Sequence, residues 1–434
     1  MNKHLKTILS LILILISSLL IAMAGCSGLP IKSDPTVKKN EDVKSYEAVL
    51  SPKEITPFSS EFTSGINRYG FDVLLDLYDG ENIAVSPASL ELALLMTAMG
   101  ASGTTRDEMI DALRMTGLSD EEIRSSVSQL MWRSNNNGME AANSLWMQED
   151  YGFSGSYLDT CTEDFMADLY SVDYRNDSEG AKDLINAWAD DKTHGKIPKI
   201  LNNELSDMTR MVLVNALYFL GEWETSFEKD STRDDTFHGT NGDAEVPFMH
   251  ADWEVRYYEG RTFQLIILPF RGDDDESGPF AMSFILPKEG YSPEEVAEEL
   301  SETGFETAVA YASSTEVIIS LPTFEFDYGT SMIKTMQALG MNDAFTGDAM
   351  FDRMLESGEQ DLFISDIIHK TYIRVDEEGA EAAAVTAVVM DAMAMPNEEP
   401  EKIIVFDADR PFLFAIYDTT DGTVLFTGVT ANLE

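Results

Sequence analysis

The chain has 434 residues, of which 44% are hydrophobic and 10% aromatic. This composition is typical of a globular protein with a large core and excludes an intrinsically disordered one. Against 30 Lys and Arg residues stand 77 Asp and Glu residues, so the formal net charge is −47. A field of that sign repels nucleic acid, heparin-like polyanions and anionic lipid surfaces, and we therefore expect no nucleic-acid partner and no activation by heparin.

The first 25 residues have the pattern of an export signal. Lys3 and Lys6 form a basic start, an apolar run follows over residues 8–21, and small residues end it. The end of this segment, Ala-Met-Ala-Gly-Cys at 22–26, resembles the box at which bacterial lipoproteins are lipidated, with Cys26 as the lipidated residue. An uncleaved membrane helix is the alternative interpretation of the same run. Both place the body outside the cell, and we expect a lipid anchor on the outer face of a bacterial membrane.

Cys161 is the other of only two cysteines in the chain. If Cys26 carries lipid, Cys161 has no intramolecular partner, so a large core rather than a disulfide framework must hold the fold. We expect Cys161 to be a small, buried and unreactive side chain. Residues 26–57 are rich in Ser, Pro, Lys, Asp and Glu and predict a flexible spacer, which leaves one large domain over 58–434.

The body of the chain mixes helical and strand patterns without regular alternation. Residues 62–78 and 181–192 have the apolar spacing of helices, and Ser86-Pro87 opens another helix with Ser as its N-cap. Strand-like runs dominate the later part of the chain and are predicted at 211–219, 263–270, 281–286, 316–326, 403–406, 411–417 and 423–429. Helices that dominate early and strands that dominate late predict an α+β fold.

Motifs of catalysis and cofactor binding are absent from the sequence. None of the five His residues stands in a metal-binding pair, and there is no nucleophile elbow, P-loop or dinucleotide fingerprint. The acidic run 273–276 lacks the ligand spacing of a calcium loop and is interpreted as a solvated turn. We therefore expect a protein that is not an enzyme and that needs no cofactor and no metal.

The segment 375–396 is compatible with two structures. One phase of a period-two pattern is uncharged, and the other holds Glu381 and Asp391. The uncharged phase consists of Ala380, Ala382, Ala384, Thr386, Val388 and Met390. This pattern suits a strand with one buried face, whereas the alanines at 382–384 favour a helix. The residues alone leave a buried amphipathic helix and a conditional strand as alternatives.

Separate motifs that stand in a fixed order along the chain decide between them. They are Ser86-Pro-Ala-Ser-Leu90, Ile185-Asn-Ala-Trp188 with Thr193-His-Gly-Lys-Ile197, Asn215-Ala-Leu-Tyr-Phe-Leu-Gly-Glu-Trp223, Leu321-Pro-Thr-Phe324, Leu339-Gly-Met-Asn-Asp-Ala-Phe345, His369-Lys370, Glu377-Glu-Gly379, Arg410-Pro-Phe-Leu-Phe414 and Leu425-Phe-Thr-Gly428. Together they resemble the serpin family over residues 85–433. The resemblance implies the α+β serpin fold, with three β-sheets, eight or nine helices and an exposed reactive-centre loop at about 377–401.

The resemblance also implies a function, suicide-substrate inhibition of serine endopeptidases by a monomeric protein. A protease attacks the exposed loop, and the cleaved loop inserts as a new strand into the main sheet and traps a covalent 1:1 complex. A non-inhibitory binding or carrier protein on the same fold is one alternative. An inhibitor of papain-like cysteine proteases is another.

Residues of the family's working parts carry over position by position. The hinge, through which insertion begins, comprises Glu377, Gly379, Ala380, Glu381, Ala382, Ala383 and Ala384. The shutter, a polar cluster beneath the sheet, comprises Ser86, Ser89, Asn215 and His369. Trp223 matches the breach, where the loop first enters the sheet. Small, uncharged side chains on the inward phase of the hinge suit rapid insertion.

The family's spacing also predicts the scissile bond. Counting sixteen residues on from Glu377 gives Met393, so the resemblance implies cleavage at Met393–Ala394. Between Gly379 and Glu401 there is no Lys or Arg, which disfavours trypsin-like proteases because their pocket pairs a cation with a buried Asp. Met followed by Ala suits elastase-, chymotrypsin- or subtilisin-like proteases.

Three positions depart from the family's common pattern. Leu220 replaces a common Lys, and Ala380 stands where many inhibitory members carry Thr or Ser. Thr323 replaces a Lys that often pairs with the hinge Glu. We therefore expect Glu377 to lack its usual partner and the sheet to open more easily.

Overall fold

The computed structural model describes seven parts of the chain. They are residues 38–39, 58–136, 139–203, 205–272, 277–357, 362–380 and 403–434. The predicted lipid site Cys26, the acidic run 273–276, the hinge residues 381–384 and the scissile bond Met393–Ala394 lie outside these residues.

Nine α-helices are found in the described residues. They are α1 (Ser60–Leu77), α2 (Pro87–Met99), α3 (Gly103–Ala112), α4 (Asp120–Asn136), α5 (Gly155–Glu163), α6 (Ser178–Lys192), α7 (Pro293–Thr303), α8 (Phe305–Tyr311) and α9 (Ile333–Ala338). The predicted start of α2 is confirmed, since the Ser86 hydroxyl accepts a hydrogen bond from the backbone N–H of Ser89 and Pro87 is the first helical residue. The helices predicted at 62–78 and 181–192 are α1 and α6.

Seventeen strands complete the described structure. They are β1 (Lys38–Lys39), β2 (Ile83–Val85), β3 (Met139–Gln148), β4 (Ala167–Val172), β5 (Met211–Phe219), β6 (Gly221–Glu222), β7 (Arg233–Gly239), β8 (Gly242–Glu259), β9 (Phe263–Arg271), β10 (Ser277–Pro287), β11 (Ser313–Pro322), β12 (Phe324–Ser331), β13 (Ile368–Val375), β14 (Gly379–Ala380), β15 (Ile404–Asp407), β16 (Phe412–Asp418) and β17 (Thr423–Thr430). The helices α7 to α9 lie among the later strands, so the separation of early helices from late strands is less complete than the sequence pattern indicated.

The strands form three sheets, as the resemblance implied. In the first sheet β3 lies between β4, to which it is parallel, and β5, to which it is antiparallel. The second sheet has the order β15-β11-β8-β9-β10-β16-β17-β2, with β7 paired to β8. The third sheet has the order β12-β13-β14-β6. This mixed α+β architecture with three sheets and nine helices confirms the predicted fold class.

The strand predicted at 316–326 is wrong as a single element. β11 ends at Pro322 in the second sheet, and β12 begins at Phe324 in the third sheet. Thr323 between them donates its backbone N–H to the carbonyl of Pro247. Hydrophobicity continues through the junction because Leu321 and Phe324 are both buried, so the apolar pattern conceals the change of sheet.

Helices and sheets from Lys39 to Glu434 belong to one compact unit with an extensive apolar core. The apolar face of α1 contributes Phe62, Ile66 and Tyr69 to this core. Cys161 on α5 is fully buried, and burial raises the pKa of its thiol to about 12, which confirms the expected inert side chain. None of the helices within the described ranges is both long enough and apolar enough to span a membrane.

Candidate functional site

The predicted hinge begins inside the third sheet. After β13 the chain turns through 376–378, and β14 then runs antiparallel to β13, with Ala380 opposite Val375. On its other side β14 is antiparallel to β6, with Gly379 opposite Glu222 and Ala380 opposite Gly221. Ala380 is buried. The structure thus brings Gly379 and Ala380 between two strands that are far apart in sequence.

Close backbone packing explains the glycine at position 379. A Cβ atom on this residue would lie 2.0 Å from the carbonyl oxygen of Gly221 and 2.8 Å from the Cα atom of Glu222. Both contacts are with main-chain atoms, which cannot move aside without breaking the pairing of β14 with β6. Gly379 is therefore required wherever the hinge is held in this sheet.

Trp223 fixes the turn that leads into β14. Its buried indole N–H donates to the carbonyl of Asp376 at 2.9 Å, and its ring stacks on Phe270 with centroids 4.8 Å apart. Its backbone N–H donates to the carbonyl of Glu378 at 2.9 Å. The residue predicted at the breach therefore contacts the turn 376–378 through both its side chain and its main chain.

The Glu377 side chain has a hydrogen-bond partner at a position other than 323. One carboxylate oxygen of Glu377 accepts a hydrogen bond from the Thr232 hydroxyl at 2.7 Å, and its backbone carbonyl accepts from the N–H of Phe227 at 2.9 Å. The neighbouring Glu378 pairs with Lys229 at 2.6 Å. The carboxylate of Glu377 is thus held by a hydroxyl from a distant segment of the chain.

A chain of hydrogen bonds joins the residues predicted as the shutter. The Ser86 hydroxyl donates to the carbonyl of Leu425 at 2.7 Å, and the Ser89 hydroxyl donates to the side-chain oxygen of Asn215. The Asn215 amide in turn donates to the side-chain oxygen of Asn143 at 2.5 Å. These bonds connect α2 to β5 and β3, so the cluster lies where a helix end meets the first sheet.

His369 extends the cluster across to β13. Its Nε2 atom accepts the backbone N–H of Ser86 at 3.0 Å, which requires a neutral ring. The side chain is buried, and burial alone lowers the pKa of His369 from near 6.5 to about 4. The imidazole is therefore an uncharged acceptor at neutral pH, and it links the third sheet to the start of α2.

A groove separates β5 from β13. No hydrogen-bonded ladder joins these two strands in the residues that the structure describes. β5 is the edge strand of the first sheet, and the part of β13 that the two-residue strand β14 does not cover is an edge of the third sheet. The groove has a volume of about 490 Å³ and is lined from both sides by Met211, Leu213, Gly329, Ser331, Ile368 and Lys370. The groove therefore lies between side chains of β5 on one side and of β12 and β13 on the other. A separate space of about 20 Å³ lies beside Ala380.

Sequence reasoning missed several residues that hold this site together. Asn143, Thr232 and Asp376 were not singled out, and each makes a hydrogen bond to a residue that was. No local pattern marks them, because their partners lie 72 to 153 positions away in the chain. Within the described ranges, no group of three or more His, Cys, Asp or Glu side chains is placed to hold a metal ion.

Comparison with known proteins gives a consistent result. The model of a family described as serpin (serine protease inhibitor) matches residues 64–433. A serpin-like protein of Thermococcus kodakarensis is 33% identical over 96% of this chain and 97% of its own length. Human leukocyte elastase inhibitor is 31% identical, over 85% of this chain and 98% of its own. The thermophilic serpin tengpin is 30% identical to this chain. Its native-state structure superposes with a TM-score of 0.79, over 92% of this chain and 100% of tengpin. Its latent-state structure superposes with a TM-score of 0.73, over 88% of this chain and 100% of tengpin.

Proposed function

The chain belongs to the serpin family, and from this premise we propose that it is a suicide-substrate inhibitor of serine endopeptidases. The observation that carries the proposal is β14, the strand with which the hinge already enters the sheet between β13 and β6. The target protease attacks the loop and forms an ester between its serine hydroxyl and the Met393 carbonyl, while the amine of Ala394 leaves. The freed end of the loop then extends β14 as a full strand and pulls the acylated protease with it, and distortion of the protease's active site stops deacylation.

The register of β14 assigns a face to each residue that inserts. If the pairing of Ala380 with Val375 continues, Ala382 comes opposite Ile373, and Ala384 comes opposite Thr371. The β13 partners Ile373 and Thr371 are buried, so the alanines that pair with them face the core as well. This is the uncharged phase of the segment.

The same register brings the inserted strand to the shutter. Thr386 comes opposite His369 on β13, and opposite Asn215 on β5 if the pairing with β6 continues past Leu220 without a bulge. Insertion to this depth thus meets the hydrogen-bonded cluster that joins α2 to both strands. We propose that Ser86, Ser89, Asn215 and His369 act as the family's shutter, and that their loosening is part of the insertion step.

The groove, and the facing edges of β5 and β13 that no described strand pairs with beyond β14, favour insertion energetically. The edges of β5 and β13 that face the groove gain ladder hydrogen bonds when a strand enters, at about 1 kcal/mol net for each bond. The native state is then held by a kinetic barrier rather than by equilibrium. The structure has a higher TM-score with tengpin in its native state than with tengpin in its latent state, which supports our assignment of it to the native conformer.

We propose elastase-, chymotrypsin- or subtilisin-like proteases as the targets. The absence of Lys and Arg from 380–400 and the Met393–Ala394 pair support this class. The similarity to human leukocyte elastase inhibitor is in agreement with it.

The test is incubation with neutrophil elastase and with subtilisin, with trypsin as the negative comparison. We expect an SDS-resistant 1:1 complex with the first two and a released peptide that begins at Ala394 in the mass spectrum. Cleavage by either of them without a complex contradicts the proposal and favours a carrier protein. A peptide that begins elsewhere moves the bond without affecting the mechanism.

A matched pair of variants tests the insertion step itself. Ala384→Arg places a charge on the inward phase, so we expect it to be cleaved as a substrate without trapping. Ala383→Arg places the same charge on the outward phase and is expected to retain complex formation. Equal behaviour of the two variants would show that the inserted strand does not follow the register of β14.

For the N-terminal segment we propose a lipid anchor at Cys26, followed by a spacer over 26–57. The supporting observation is the sequence at 22–26 after a basic and then apolar start. Radiolabelled palmitate is expected to label the wild type in a bacterial host and not Cys26→Ser. Retention of label by the variant would exclude this site of lipidation.

A further inference from the structure

An exposed apolar patch lies on the outward face of β11 and β15. Ile318 and Val405 are directly paired across these strands, and Ile403 precedes β15 on the same face. Their exposed fractions are 43%, 50% and 73%, respectively. Of the eight large hydrophobic side chains that are exposed in the described part of the chain, these three lie together. Such clusters on soluble proteins mark interaction surfaces more often than single exposed side chains do.

Acidic side chains surround this patch. Asp252 lies opposite Ile318 on β8, Glu316 and Glu254 form the next pair along the same strands, and Asp407 follows Val405 at the other end. All four are exposed. An apolar centre with a charged rim is the common design of a protein interface, and an acidic rim selects a partner whose facing surface is basic.

The patch is continuous with the proposed reactive loop. Ile403 stands only nine residues after Ala394, the residue that follows the predicted bond. Nine residues span no more than about 30 Å when fully extended. A protease bound at Met393–Ala394 covers about 800 Å² of its partner. A footprint of that size is about 30 Å across, which equals the largest possible separation of the bond and Ile403.

We propose that the patch formed by Ile318, Val405 and Ile403, with its acidic rim, is a second docking surface for the target protease. The protease that docks there has a basic surface. This inference rests on the proposed inhibitory function and adds a determinant of specificity outside the loop. The loop supplies the bond, whereas the patch raises the rate at which a basic protease is captured and leaves the trapping step unchanged.

The experiment compares the wild type with the double variant Ile318→Ser/Val405→Ser and with Met208→Ser. Met208, which is 65% exposed, precedes β5 at the end of that strand remote from β6, so it is a control of matched chemistry. The probe is neutrophil elastase, a basic protease. We expect the double variant to associate at least tenfold more slowly, with unchanged stoichiometry of inhibition, and Met208→Ser to behave as the wild type. A synthetic peptide of residues 386–401 lacks the patch. We expect elastase to cleave it at the same bond as in the wild type and in both variants.

A second measurement separates failure of the patch from failure of inhibition. Elastase whose catalytic serine is replaced by alanine is bound to each protein, so no trapping is needed for a signal. We expect the wild type to bind this elastase more tightly than the double variant does. We also expect added salt to weaken binding more steeply for the wild type than for the variant Asp252→Asn/Glu316→Gln. The proposal is overturned if the wild type binds no more tightly than the double variant or does not bind at all, whether or not active elastase is trapped.

Two further outcomes also overturn it. A dimer of the wild type that the double variant abolishes would assign the patch to a second copy of the chain. Faster association by the double variant would mean that the chain's own loop covers the patch. A single Ile403→Ser variant, in the exposed residue before β15, keeps the test available if the double variant does not fold.

Discussion

Protonation of His369 is expected to weaken the native state as the pH falls. The neutral ring accepts the Ser86 N–H, and a protonated ring has no free lone pair for that bond. The folded pKa of His369, about 4, lies below the ordinary value of 6.5 because burial penalises the charged form. The folded state therefore binds fewer protons than the unfolded chain between these two values. The contribution of His369 to stability is complete above pH 6.5 and is lost as the pH falls from there toward 4.

The two pKa values set the size of the effect. Between pH 7 and pH 5 the fully buried imidazole is expected to lower the free energy of unfolding by roughly 2 kcal/mol. Other groups titrate in the same interval, so the informative quantity is a difference between variants. His369→Gln retains a neutral acceptor for the Ser86 N–H but cannot be protonated.

The assay is urea unfolding followed by tryptophan fluorescence at pH 7 and pH 5. We expect the stability of the wild type to fall by roughly 2 kcal/mol more than that of His369→Gln over this interval. His238→Gln is the control, since His238 is exposed and its pKa is raised by Asp243. An equal fall for the wild type and His369→Gln would refute the assignment of His369 as a buried neutral acceptor.

Three more predictions follow from the hinge and the core. Gly379→Ala is expected to expel β14, because its Cβ atom meets the Gly221 carbonyl at 2.0 Å, and limited proteolysis should then cut at 376–380 where the wild type resists. Trp223→Phe keeps an aromatic ring but loses the bond to Asp376, so we expect a loss of about 1 kcal/mol in urea unfolding, and no loss would show that this bond does not hold the turn. Glu91→Leu is expected to raise stability at pH 8 by about 1–3 kcal/mol, because the buried carboxyl of Glu91 has no hydrogen-bond partner among the residues that the structure describes. Burial raises the pKa of Glu91, so its penalty grows as the pH rises above 4.5, and the gain from the variant should shrink at pH 4.5; a gain independent of pH would contradict this cause.

Local sequence patterns predicted the elements that depend on local forces. The N-cap of α2 follows from Ser86 and Pro87, and β5 has the predicted bounds, since a mostly apolar run bounded by polar residues is enough to mark this strand. The long strand β8 was missed, because its eighteen residues alternate irregularly between buried and exposed positions. β11 and β12 were merged, because a strand that changes sheets keeps its hydrophobic pattern.

The candidate site divides in the same way. The motif at Glu377-Glu-Gly379 and the absence of charge on one phase of the following residues were visible in the sequence. The absence of a cation at position 323 was visible as well, whereas the hydrogen bond from Thr232 to Glu377 was not. These two residues, 145 positions apart, meet only because the short 3₁₀ helix Lys229–Ser231 before β7 packs against the turn after β13.

The sequence by itself therefore determined the family, the uncharged phase of residues 380–390 and the absence of Lys and Arg from 380–400. These are properties of residue identity and of a period of two, and both are local. Only the tertiary structure decided that β14 pairs with β13 and β6, in which register, and beside how large a groove. Strand pairing joins segments that are distant along the chain, and a period of two assigns a face to each residue without naming its partner.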